Sequence, residues 1–232
     1  MNSIEKTVDD QLLVADKIDK CVEKSKIKAY DFVKRAIDIL AGIIGCIILI
    51  PLMLIVKIIN LVNNDNGSLF YIQKRIGKNG KEFKLYKFRT MVENADKKLR
   101  RILKENEELR EEYEINKKMK EDPRITKAGR ILRKTSLDEF PQFINILKGD
   151  MSLIGNRPYL KREKKDMGNY YKYIVKTKPG LTGLWQTSGR SNITFGERLK
   201  IEKKYSEQYS LILDFKIFLN TIRDVIKGKG AI

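Results

Sequence analysis

Hydrophobic and polar positions divide the chain into unlike stretches. From Ile39 to Val56 the sequence ILAGIIGCIILIPLMLIV runs 18 residues without a charge, bounded by Asp38 and Lys57. That length is at the lower edge for a membrane-spanning helix. Pro51 interrupts the run, removing one backbone donor and pressing on the carbonyl of Ile47, at ~3 kcal/mol in an ordinary helix interior. A kink is the mildest expected outcome. The run starts well inside the chain, and no small-residue cleavage site follows it, so it is not a secretory signal. Ahead of it, residues 1–28 carry Ile4, Val8, Leu12, Ala15, Ile18 and Val22 at helical spacing. Such a helix lies on a membrane, pairs with a copy of itself or packs on its own domain.

Beyond residue 62 the pattern becomes that of a water-facing domain. Leu69 to Met91 reads as two short strands joined at Asn79-Gly80, a strong hairpin signal. Residues 92–122 are polar apart from Val92, Ala95, Leu99, Ile102, Leu109 and Tyr113, whose 3-4 spacing, interrupted at Asn106, predicts a long amphipathic helix ended by Pro123. A last amphipathic helix is expected from Asp214 to Lys227, stopped by Gly228. The expected organisation is an N-terminal helix (1–28), a membrane helix (29–62) and a water-facing domain (63–232). The fold class is α+β, predominantly helical.

Charge changes the picture. The 232 residues hold 48 Lys+Arg against 30 Asp+Glu, a net +18. Basic residues flank the apolar run on both sides, Lys34 and Arg35 before it and Lys57, Lys74 and Arg75 after it, and the positive-inside tendency keeps both flanks on the cytoplasmic side. A helix that enters and leaves by one leaflet satisfies both, with Lys34, Arg35 and Lys57 meeting headgroups. A single span with a tolerated proline satisfies the length equally well. There is no histidine, so imidazole bases and His-based metal sites are excluded, and carboxylates become the first catalytic suspects. Cys21 and Cys46 show no metal or disulfide spacing.

The informative stretch is DPRITKAGRILRKTSLDEFPQFINILKGDMSLIGNRP, Asp122 to Pro158. Arg124, Lys127, Arg130, Arg133 and Lys134 precede the acidic pair Asp138-Glu139, and Arg157 follows. Pro141 belongs in a first helical turn, which places both acids at a helix N-terminus, where the dipole favours an ionised carboxylate and bound phosphate. An ionised Asp138 beside phosphate is a candidate nucleophile, and Glu139 a candidate ligand for the Mg²⁺ that a diphosphate brings. Ser136 with Glu139 also fits a capping box, which would give Glu139 a structural role. Downstream, PGLTGLWQTSGRSN (Pro179–Asn192) has the glycine content of a ligand-facing loop, although composition alone favours a glycine-rich turn between packed elements.

The order KRAID, QKRIG, KFRTM, DPRITKAGRILRKTSLDEFPQFINILKGDMSLIGNRP and PGLTGLWQTSGRS resembles the bacterial sugar transferase family, the monotopic polyprenyl-phosphate phosphoglycosyl transferases, over nearly all of the chain from Tyr30 onward. The resemblance implies transfer of a sugar 1-phosphate, galactose or glucose favoured, from a UDP-sugar to undecaprenyl phosphate, releasing UMP and initiating an exopolysaccharide, capsule, O-antigen or glycoprotein glycan. It implies Asp138 as nucleophile forming a phosphosugar-aspartate, and Glu139 as Mg²⁺ ligand. Lys87, Arg89, Arg133, Arg157 and Pro158 match positions expected to face phosphate, and Gln186 and Arg190 a segment near nucleotide or sugar. It implies a membrane helix re-entrant at Pro51, a compact catalytic domain on the cytoplasmic face of the bacterial plasma membrane, and the small form without extra N-terminal membrane helices. Where family members usually read GPRP, this chain has Gly155-Asn156-Arg157-Pro158, so a looser loop is expected there. A homodimer through residues 1–28 or 92–122 is a further expectation. The competing classes are a membrane-tethered nucleic-acid binder, which the charge alone would suit, and a noncatalytic scaffold. The first leaves the apolar run and the acid pair unexplained, and no nucleic-acid partner is expected.

Overall fold

The computed structural model describes residues 2–116, 119, 121–188 and 193–227, with side chains for 25, 27–114, 119, 121–188 and 193–227. Its first element, α1 (Asn2–Val62), joins the two helices expected separately. No Gly or Pro occurs before Gly42, so nothing in the sequence stops the helix between them. The element also continues through Pro51. The missing donor leaves the helix intact because Leu49 and Val56, on either side, are buried in one cluster with Phe88 and Leu132.

The hairpin forms as expected. Strands β1 (Phe70–Ile76) and β2 (Glu82–Phe88) pair antiparallel, Phe70 opposite Phe88. Asn79 and Gly80 take positive φ of 58° and 77° at the turn. The long helix expected over 92–122 is instead two, α2 (Ala95–Glu105) and α3 (Glu107–Asn116). Asn106 adopts extended φ/ψ, and its side chain accepts from Leu109 N–H, capping the second helix at the expense of the first.

Helix α4 (Lys127–Thr135) is capped by Thr126 and ends at Ser136, whose φ is 58°. A 3₁₀ turn, Leu137–Glu139, leads into α5 (Gln142–Lys148). Strand β3 (Ser152–Ile154) pairs in parallel with β4 (Gly180–Thr182), a second small sheet that the pattern did not announce. Between these strands lie the short helices α6 (Lys164–Met167) and α7 (Tyr171–Ile174), and after them come α8 (Leu184–Thr187), α9 (Phe195–Gln208) and α10 (Leu211–Ile226).

One stripe of α1, comprising Asp38, Gly42, Gly45, Leu49, Val56 and Asn60, is buried. Gly45 is required there, since a Cβ on it would fall 2.1 Å from the Phe143 ring of α5, and one on Gly42 would sit in tight contact 3.2 Å from Leu147. Asp38 accepts from Ser152 Oγ and Leu153 N–H. Lys34 donates to Asp214 of α10, which also accepts from the hydroxyls of Tyr30 and Tyr205. Arg35 donates to the carbonyls of Ile146 and Leu147 at the end of α5. Expected to meet headgroups, Lys34 and Arg35 instead fasten α1 to the domain, because acceptors lie within reach on α5 and α10. The remaining faces of α1 expose Leu40, Ile44, Ile47, Ile50 and Leu54. By length and composition, Ile27–Val62 is apolar enough to cross a membrane.

Candidate active site

The acid pair sits on the 3₁₀ turn ahead of α5, and Lys87, from the end of β2, reaches between the two carboxylates. Its Nζ lies 2.5 Å from Glu139 Oε1 and 3.9 Å from Asp138 Oδ2. The register is set by Asn145 of α5, which is wholly buried, accepts from Tyr86 N–H and donates to Lys84 C=O. Thus α5 is pinned to β2 beside Lys87. Ser136 makes no side-chain cap, so the capping box expected as Glu139's structural role is absent; Ser136 ends α4 in a left-handed conformation instead. Burial raises the Asp138 carboxyl above its usual range, Lys87 and Arg133 lower it, and the neighbouring Glu139 raises it. The helix end alone does not keep this carboxylate acidic. Arg133 is held by a bond from Nε to Thr90 Oγ1 at 3.0 Å.

A cleft opens beside this pair, lined by Glu139 and Lys87, with Asp138 adjoining it across Lys87. Its walls include Lys87, Glu139, Arg157, Pro158 and Gln186, all expected, together with Arg75 and Gln142, which sequence reasoning missed as site residues. Arg75 stands on β1 and donates to Pro158 C=O at 3.0 Å and to Gln73 Oε1 at 2.6 Å. Its charged form is disfavoured by burial and by the facing Arg157. Two guanidiniums in one concavity repel each other unless an anion joins them. The only advance sign of Arg75 was its place in the QKRIG motif; strand pairing and the return of the chain at Pro158 bring it to the cleft.

Glycines let the strand ends approach. A Cβ on Gly180 would lie 2.1 Å from Gly155 N, and one on Gly183 2.1 Å from Gly155 O. The described part of this segment is thus a turn packed against Gly155, and Gly180, Leu181 and Gln186 on it also line the cleft. Asn156, expected to loosen its loop, is buried, and its amide donates to Ile174 C=O and Ser206 Oγ. Arg157 donates its backbone N–H to Glu202 Oε1, and its guanidinium lies 5.8 Å from the Trp185 ring centre, with Arg198 at 4.6 Å from the same ring.

Arg89 does not join the site. Its three nitrogens donate to Ser68 C=O, Met91 C=O and Asp65 Oδ1, and the buried side chain is not among the residues that line the cleft. β2 ends at Phe88, so Arg89 turns away from the face that Lys87 occupies. Arg190 lies outside the described residues.

The family model for bacterial sugar transferases matches residues 29–228. The chain belongs to that family. This transferase is 42% identical over 199 residues to the exopolysaccharide production protein ExoY of Sinorhizobium fredii, covering 85% of the chain and 87% of that protein. It is also 42% identical over 200 residues to the undecaprenyl-phosphate galactose phosphotransferase of Salmonella typhimurium, covering 86% of the chain and 42% of that protein. A third relative, the galactosyl transferase CpsE of Streptococcus agalactiae, is 42% identical over 199 residues, with 85% and 43% covered.

Proposed function

We propose that this transferase moves a sugar 1-phosphate from a UDP-sugar, a hexose such as galactose or glucose favoured, to undecaprenyl phosphate at the cytoplasmic face of the bacterial plasma membrane. The observation that carries the reading is Lys87 between the Asp138 and Glu139 carboxylates, at the mouth of a cleft holding Arg75 and Arg157. A carboxylate made more basic by burial is a stronger nucleophile once ionised, and Lys87 and Arg133 favour its ionised form. An Asp138 carboxylate oxygen attacks the β-phosphorus, forming a phosphosugar-aspartate and breaking the bond to the α-phosphate oxygen, so UMP leaves. A phosphate oxygen of the polyprenyl phosphate then attacks the same phosphorus, the bond to Asp138 breaks, and the carboxylate is restored. Arg75 and Arg157 neutralise phosphate charge with forked donors. Gln186 lies where it can bond the bound nucleotide sugar.

Glu139 presents hard oxygen donors at the cleft and Asp138 adjoins it, and one or two protein carboxylates are the number with which Mg²⁺ usually accompanies a diphosphate. Bound there, the ion would neutralise phosphate charge, and Glu139, now held by Lys87, would be its ligand.

The buried stripe supports a same-leaflet topology. Asp38 to Asn60 spans ~33 Å of helix, about the hydrocarbon thickness, and packs on the domain on both sides of Pro51. A straight crossing would draw that domain's charged surface into lipid.

Screening UDP-sugars for UMP release in detergent tests the activity. Incubation with the accepted donor and no lipid acceptor should add a sugar-phosphate mass to the peptide containing Asp138. No UMP from any UDP-sugar refutes the function, and UMP formed only with acceptor present, without the adduct, refutes the two-step route.

A further inference from the structure

Away from the cleft, at the opposite end of α5, a second cavity of about 170 Å³ gathers Lys34, Arg35, Lys78, Lys176 and Lys178. Acidic residues on its wall are Asp31, 3.9 Å from Lys78 Nζ, and Asp38, already bonded to Ser152 and Leu153. Lys34 and Arg35 have partners in the protein. Lys178 has no hydrogen bond or ion pair among the described residues, and its ammonium is disfavoured by burial and then by the like charges of Arg35 and Lys78, against which Asp38 and Asp31 act in part. Five basic residues against two acids leave the cavity with excess positive charge, and the half-buried Lys178 ammonium without a bonded counterion marks a place an anion would occupy.

The cavity adjoins a groove of about 400 Å³ between α1 and α10, and Lys34 and Asp38 border both. The groove's walls are apolar: Val33, Ile37, Leu211, Phe215 and Phe218. Along the same two helices Leu40, Ile44, Ile212, Leu219 and Ile222 are exposed. A basic chamber opening on an apolar trough beside lipid-facing helices complements a molecule with a phosphate at one end and a hydrocarbon chain at the other.

We infer that the basic cavity and the α1/α10 groove bind one anionic phospholipid of the surrounding membrane, its phosphate among Lys78, Lys176 and Lys178 and one acyl chain between the helices. The inference rests on the membrane placement of α1 given above. A resident phospholipid, and not the reacting acceptor, fits the location. The catalytic acids precede α5, whereas Arg35 bonds the Ile146 and Leu147 carbonyls near its end, and seven residues of helix separate the two ends by ~10 Å.

The test equilibrates the full chain in nanodiscs of equal parts phosphatidylcholine and phosphatidylglycerol, recovers it in mild detergent and identifies retained lipid by mass spectrometry. Wild type should retain phosphatidylglycerol in preference to phosphatidylcholine. Lys176→Ala with Lys178→Ala should lower that retention at least about tenfold, the scale of two lysine–lipid attractions. Ile37→Trp, which fills the trough and leaves the charges, should also lower it, and Lys97→Ala with Lys104→Ala, a matched charge change on α2, should not. UMP release in the same preparations separates failure of this site from failure of the enzyme. The inference is overturned if the Lys176/Lys178 variant retains lipid as wild type does, or if the Lys97/Lys104 variant loses it equally. Retained polyprenyl phosphate in place of phospholipid overturns it as well. So does unchanged retention in Ile37→Trp, which would leave a site for free anions.

Discussion

Glu202, on α9 and only 1% exposed, offers a quantitative probe of the cluster behind the cleft. Facing it are the Arg157 amide and guanidinium, the Tyr159 hydroxyl and Arg198. Burial outweighs these neighbours and pushes its carboxyl up to about 7, against 4.5 for an ordinary glutamate. Between those values the folded state keeps a proton that the unfolded chain has released. The stabilisation is complete below the unfolded value and is lost as pH rises through 7, and the gap amounts to on the order of 3 kcal/mol. Glu202→Gln keeps an oxygen for the Arg157 amide and never ionises. The free energy of urea unfolding in detergent, followed by Trp185, should fall with pH in the wild type relative to the variant, which should be at least as stable at about pH 8. Two features make the measurement clean. The chain has one tryptophan, stacked on Arg157 and Arg198, and no histidine to titrate in the same window. Asp38 and Asp138, also raised, contribute to both proteins and cancel in the difference. Parallel pH profiles, or a variant less stable than wild type at about pH 8, would refute the reasoning.

Asp138→Asn should lower transfer at least about a thousandfold without lowering the melting temperature at neutral pH, since a buried amide costs less than a buried carboxylate; near-normal turnover would sink the nucleophile assignment. Glu139→Gln should be severely impaired at every Mg²⁺ concentration, and wild-type activity that survives EDTA would remove the metal. Arg75→Gln should cost about tenfold or more in kcat/KM for the UDP-sugar, the worth of a charge-assisted phosphate bond, whereas Arg89→Gln should lower thermal stability and leave KM near wild type; the reverse pattern would exchange their roles. With Cys46→Ser in place, a membrane-impermeant maleimide should label Cys21 only after lysis, and labelling in intact cells would refute the same-leaflet topology.

Elements whose instructions are local were legible. Asn79-Gly80 supplies the positive φ a tight turn needs, and α10 begins at Leu211, three residues before its expected start, on a Ser210 cap. The acid pair and Lys87 were legible as motif residues, yet their meeting depends on Asn145 bridging α5 to β2, a contact between distant segments. Ser136 shows the limit of spacing rules: S-x-x-E fits a capping box, but α4 runs up to Ser136 and uses it as a terminus. Arg89 shows another, because alternation along a strand gives Lys87 and Arg89 the same face only while the strand lasts. Asn156 replaces a rigid proline with a polar side chain, and only the tertiary fold supplies the acceptors that make it an anchor.

Gly42 and Gly45 join the membrane helix to the chemistry. In the sequence they are small residues in an apolar run, of a kind that many membrane helices carry. In the fold they let α5 press Leu147 and Phe143 against α1 while Arg35 takes the Ile146 and Leu147 carbonyls near its end. The other side of α5 is tied through Asn145 to Lys84 and Tyr86, next to Lys87. The turn carrying Asp138 and Glu139 leads directly into this clamped helix. A displacement of α1 along the membrane surface would therefore be felt as a change in spacing between Lys87 and the two carboxylates. The proposed transfer takes its acceptor from lipid and its donor from water, which calls for a nucleophile at a fixed height above the bilayer, and α5, held between α1 and β2, would provide that rigid connection.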